Sequence, residues 1–156
     1  MRALVGVVSA RRWIGAELLA YGAWTALLTF IGAFLIGRLG VREAAAGWLL
    51  AGGAAAYFAA STRSGGLATR ISRRRLVAGA ALLMAVLLPV QLSVTRSVPL
   101  AVGVFCLIGL AAGIRTPASS GLGLEQLPGH PGAMMAARTA ATQLGYLLGA
   151  VVGGAA

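Results

Sequence analysis

Thirteen arginines, three glutamates, one histidine and one cysteine are the chain's charged and reactive side chains apart from its tyrosines, and it has neither aspartate nor lysine. This stock excludes most catalysis. Glu17, Glu43 and Glu125 are too far apart in sequence to form a paired acid and base on one helix. His130 has no second histidine or cysteine nearby, so no metal-ligand spacing arises. The single Cys106 rules out an internal disulfide. No enzyme activity and no cofactor is expected. What remains is charge placed where charge is costly. Arg138 lies about two turns into the last apolar segment, and an arginine inside a membrane span needs an anionic partner or ligand. Glu17 opens the first apolar run and Arg115 closes the fourth, which makes Glu17, Arg115 and Arg138 candidates for charge pairing. For Arg115 the alternative is a side chain that reaches out to the membrane interface.

The elements that must carry these charges are long apolar runs. Leu18–Gly37, Ala44–Thr62, Leu76–Thr95 and Ser97–Ile114 contain no charged residue, and a fifth segment from Pro131 to Ala156 is interrupted only by Arg138. Charged residues make up 10% of the 156-residue chain, against about 25% in a soluble domain. About twenty mostly apolar residues cross a bilayer as helix, because no water is present there to satisfy an exposed backbone. The expected fold is therefore all-α, a polytopic transmembrane bundle of about five helices at 17–38, 44–62, 75–95, 98–118 and 131–156. Residues 1–16 form a cytoplasmic lead-in. Its apolar stretch Ala3–Ala10 is short for a signal core and has Arg11 and Arg12 after it rather than before it. A net charge of +10 also suits nucleic-acid binding, but membrane-length apolar spacing between the charges excludes that class.

Alternating crossings put Arg2, Arg11, Arg12, Arg63, Arg70, Arg73, Arg74 and Arg75 on one side, against Arg38, Arg42 and Arg96 on the other. The arginine-rich side is the cytoplasmic one, so the chain starts in the cytoplasm of the cell or inner membrane and ends outside. Gly145, Gly149 and Gly153 recur every fourth residue, as do Gly109 and Gly113, and stripes of this kind let helix backbones approach closely. Pro89 is expected to kink the third helix, and Trp13 and Trp48 to anchor at the membrane interface.

The segment "GGLATRISRRR", residues 65–75, resembles the cytoplasmic loop signature of the major facilitator superfamily, a Gly-x-Leu-Ala-Asp-Arg-x-Gly-Arg-Arg pattern. Gly65, Leu67, Ala68, Arg70, Arg73 and Arg74 match, while Thr69 and Ser72 replace the Asp and the second Gly. The departure at Thr69 favours the degraded copy found between helices eight and nine of that family. "AYGAWTALLTFIGAFLIGRLGVREAAAGWLLA" is similar to its seventh helix and the connection to the eighth. The stretch from Gly109 onward, with Arg115, Pro117 and Gln143, is similar to its tenth and eleventh.

The resemblance implies helices seven to eleven of a secondary transporter that works by alternating access without ATP. It also implies partners: the lipid bilayer, a small-molecule substrate, an N-terminal six-helix half and a twelfth helix. Tyr21, Trp24, Thr25, Arg138 and Gln143 would then lie on the substrate path, with Arg138 binding an anionic group or pairing with Glu17. An efflux role for drugs or metabolites fits this picture. The alternative is a stand-alone multi-pass protein that docks on partners through its glycine faces.

Overall fold

The computed structural model describes residues 6–93 and 97–155. Arg2, Thr95, Arg96 and Ala156, used in the readings above, lie outside the described residues. Five long helices follow one another: α1 (Val8–Ala33), α2 (Glu43–Arg70), α3 (Arg73–Ser93), α4 (Val98–Gln126) and α5 (Pro131–Ala155). A five-residue π-helical turn, Phe34–Arg38, continues α1. No strand occurs among the described residues.

Four of these helices are long and apolar enough to cross a membrane: α1 with its π-turn, α2, α3 and α4. The sequence suggested five such spans. Helix α5 is long enough at 25 residues, but Arg138, Thr139, Thr142 and Gln143 dilute its apolar character.

The helices outrun the apolar stretches that announce them. Helix α1 already begins at Val8, so Arg11, Arg12 and Trp13 belong to it. Helix α2 runs past Thr62 to Arg70, and α4 runs past Pro117 to Gln126. Hydropathy marks only the part of a helix that lies in hydrocarbon, and a helix need not stop where polar residues begin. At about 1.5 Å per residue the 28-residue α2 is about 42 Å long, more than an apolar layer of about 30 Å.

Local chemistry sets the ends. Gly40 adopts φ 66°, open to glycine at little cost, and Val41 N–H closes back on the Leu35 carbonyl at 3.0 Å to cap the π-turn. Ile71 is extended and bonds Leu67 O at 2.9 Å, which ends α2; only Ile71 and Ser72 separate it from α3. Leu127–Pro128–Gly129–His130 forms a turn closed by His130 N–H on Leu127 O at 3.0 Å, and Pro131 then takes the first position of α5. Pro89 and Pro117 both lie inside helices, each forfeiting one backbone hydrogen bond.

The chain divides into two compact units, Met1–Phe30 with Ser120–Ala156, and Ile31–Ser119. In the first, α5 packs along α1 through its glycines. A Cβ on Gly145 would stand 2.6 Å from Leu18 O, and one on Gly153 would stand 2.6 Å from Ala26 O. Between them Gly149 lies against Gly22. The partners rise together along both helices, so α1 and α5 run parallel. Ala10, Trp13 and Met134 form a buried cluster at the start of this seam. Trp13 is thus not the interfacial anchor its type suggested: it is 7% exposed, and its indole fills the space that Gly123 leaves open. Trp48, by contrast, is 81% exposed.

In the second unit α2 and α4 pack by the same device. Gly109 would place a Cβ 2.6 Å from Gly53 O, Gly113 lies against Tyr57 and Ala60, and Gly53 accommodates the Phe105 ring. These partners also rise together, so α2 and α4 run parallel. The Arg38 guanidinium stacks over Phe34 and reaches the Leu92 carbonyl at 3.4 Å, which brings the end of the π-turn beside the end of α3.

Replacing Gly149 by leucine should push α1 and α5 apart and cost about 1–3 kcal/mol. Gly154→Leu, where nothing lies within 4 Å of the added Cβ, should leave stability unchanged. Thermal unfolding of both variants in detergent checks the contrast.

Candidate functional site

Glu17 and Tyr21 are four residues apart on α1 and share a face, and the α1–α5 seam holds Arg138 against that face. Arg138 Nε donates to Glu17 Oε2 at 2.8 Å, and Arg138 Nη2 donates to Tyr21 Oη at 2.9 Å. The guanidinium carbon also lies 5.7 Å from the centroid of the Tyr21 ring, within cation–π range. Tyr146, two turns along α5 from Arg138, meets Tyr21 edge to face with centroids 5.4 Å apart. The Glu17 side chain is 1% exposed and that of Arg138 18%. A carboxylate so deeply buried has to be paired, and here it meets a cation in a charge-assisted hydrogen bond of good length.

The arrangement binds charge; it has no nucleophile with an attendant base. Tyr21 restrains the guanidinium from a second direction, so its remaining N–H groups have a fixed orientation. Just beyond, the seam opens into an apolar groove of about 220 Å³ lined by Leu18, Gly22, Ala26, Leu148, Gly149 and Val152 among others. Polar and apolar surfaces therefore adjoin within this one unit.

The structure brings together Glu17, Tyr21 and Arg138 from the residues singled out in the sequence. Trp24 and Thr25 lie about one turn further along α1, half-buried, and Gln143 is exposed on α5. Arg115 is 4% exposed within α4, buried and not reaching out to the surface as the interface alternative would have it. Tyr146 escaped the sequence reading. Its signal was the eight-residue spacing from Arg138, which puts both on one side of α5.

The arginine-rich segment takes an unexpected form. Gly65 to Arg70 complete α2, and Arg73 and Arg74 open α3, so the "loop" is two helix ends joined by two residues. All of these arginines are exposed, and nothing lies within 4 Å of a Cβ built on Gly65.

The family model for the Major Facilitator Superfamily matches residues 14–156. The chain belongs to the Major Facilitator Superfamily. No curated protein matches it, and no solved structure does. Membership of the superfamily makes this multi-pass helical bundle a membrane transport protein and not an enzyme. No group of three potential metal ligands occurs among its described residues. In this member of the superfamily, a buried Glu–Arg–Tyr cluster is the most concentrated polar chemistry between α1 and α5.

Removing one partner of a buried pair strands the other. Glu17→Ala should therefore destabilise the protein by about 3–5 kcal/mol. The double variant Glu17→Ala with Arg138→Leu should recover much of that loss, because no unpaired charge remains. Unfolding midpoints of the two single variants and the double variant in detergent check this non-additivity.

Proposed function

We propose that the chain forms helices seven to eleven of a secondary active transporter that moves a small molecule by alternating access. The observation that carries the proposal is the Glu17–Arg138–Tyr21 cluster between two parallel helices. A buried pair of opposite charges is a switchable contact: an anionic group that takes Arg138, or a proton that takes Glu17, releases the other partner. Arg138 is the substrate-facing or gating cation, and Tyr21 orients it. The apolar groove beside it suits amphipathic or lipophilic cargo, in keeping with efflux of drugs or metabolites.

Helix α5 crosses the membrane as well in this reading. Its pairing with Glu17 neutralises Arg138, and its parallel course along α1 fits three crossings between the two. The parallel course of α2 and α4 fits the same alternation. A separate role that docks on partners through glycine faces finds less support, because Gly145, Gly149 and Gly153 lie against α1 while Gly109 and Gly113 lie against α2. The N-terminal six-helix half and a twelfth helix complete the transporter.

Sequencing the reading frame on both sides tests this organisation: six apolar helices in frame upstream and one downstream are expected. A ribosome-binding site directly before Met1 with a stop codon after Ala156 would sink it. In the complete transporter, Arg138→Ala should abolish gradient-driven uptake into membrane vesicles while leaving protein levels measurable.

Orientation is tested separately. In a Cys106→Ala background, a cysteine at Ser72 should react with a membrane-impermeant maleimide from the cytoplasmic side only. A cysteine at Arg42, exposed in the α1–α2 connection, should react from outside only. The reverse pattern inverts the assigned topology.

A further inference from the structure

Charge bookkeeping in this chain does not close. Thirteen arginines face three glutamates, and the pairing of Glu17 with Arg138 leaves twelve against two. No acidic residue occurs between Glu43 and Glu125, the stretch that contains the α2–α3 corner. At that corner Arg70 ends α2, and Arg73, Arg74 and Arg75 occupy the first turn of α3. All four are exposed, and among the described residues neither Arg74 nor Arg75 meets a carboxylate.

Cations are disfavoured at a helix N-terminus, where the backbone already presents partial positive charge and N–H groups without an intrahelical acceptor. The first helical bond here is Leu76 N–H to Ser72 O at 3.1 Å, so the three arginines sit on those donors. Such a concentration of donors and positive charge calls for an anion from outside the chain. A membrane-orientation signal needs only a count of arginines, not this placement.

The face of α3 that continues from the corner says which anion. Arg75, Gly79, Leu82 and Val86 follow at spacings of four, three and four, which aligns them along one side of the helix. Leu82 is 68% and Val86 54% exposed, and nothing lies within 4 Å of a Cβ on Gly79. The opposite stripe, Leu76, Ala80, Met84 and Gln91, is the buried one. Helix α3 is long and apolar enough to cross a membrane; in a bilayer, its arginine-bearing first turn would stand at headgroup depth and the rest of the track in hydrocarbon. Cation, notch and two apolar side chains in that order match the shape of an amphiphile. We infer that the α2–α3 corner binds an anionic phospholipid, its phosphate on Arg74 and Arg75 and an acyl chain along Gly79, Leu82 and Val86. An acidic protein segment would satisfy the charges but would leave the apolar track unused.

Native mass spectrometry of the full chain in neutral detergent tests the assignment, with phosphatidylglycerol and phosphatidylcholine of identical acyl chains as probes. Wild type should retain the anionic lipid about tenfold better than the zwitterionic one, as expected for juxtamembrane arginines at an anionic surface. R74Q/R75Q should bring the two lipids to within about twofold of each other, while R74K/R75K and R11Q/R12Q, whose arginines belong to the other compact unit, keep the preference. Excess inorganic phosphate should not displace the lipid, because the acyl chain contributes to its hold. A wild-type ratio near one overturns the inference, and it needs no variant to fold. So does an unchanged preference in R74Q/R75Q with helix content intact. Displacement by inorganic phosphate would mark a small-anion site instead, and binding of a poly-glutamate peptide in place of lipid would assign the corner to an acidic protein partner.

Discussion

The contact between Glu17 and Arg138 is the constraint on which the α1–α5 unit depends. An arginine held among apolar helices is costly unless it is paired, and a buried carboxylate is no cheaper to leave alone. Together, at 2.8 Å and with the Tyr21 hydroxyl accepting a second guanidinium bond, the two groups cancel most of that penalty. The pairing explains why a helix carrying Arg138 can pack so tightly against an apolar neighbour. Tyr146 adds to the same seam, with its ring edge to face against Tyr21.

Tight packing follows from the absence of side chains. Gly145, Gly149 and Gly153 bring α5 onto the backbone of α1 at Leu18, Gly22 and Ala26, and Gly109 and Gly113 do the same for α4 on α2. Lipid tails are as apolar as leucine, so these helices gain little from hiding hydrophobic surface; close van der Waals contact is what holds them. The outward-facing leucines and valines of α5, such as Leu147 at 61% exposure and Val151 at 63%, are therefore no defect in a membrane protein. Both seams join helices that run in the same direction. That is the relation expected of elements separated by an odd number of crossings, and it arises separately in each unit.

The structure also revises how the arginine-rich segment is understood. Its residues do not hang in a loop. They extend one helix and begin the next, with only Ile71 and Ser72 between the two. Helical backbone fixes the spacing of the Cα positions that carry the charges.

Composition and spacing by themselves determined that the chain is all-helical and that it lives in a membrane. These follow from quantities local to the sequence: the length of apolar runs and the poverty of charge. The family resemblance was equally legible, in the residues from Gly65 to Arg74 and around Arg115 and Pro117. Helix ends were less so, since hydropathy reports where lipid is and not where hydrogen bonding stops; α2 and α4 each continue about two turns beyond it. What only the tertiary structure decided is who meets whom. Glu17 and Arg138 stand 121 positions apart, and the sequence left Arg138 a choice between this pairing and an anionic ligand. The glycine seam fixed it, because the register of Gly149 on Gly22 places the Arg138 side chain within reach of one carboxylate. The same seam buried Trp13, which a reading by residue type assigned to the interface: an indole goes where a neighbouring glycine leaves room, and that neighbour, Gly123, is 110 residues away.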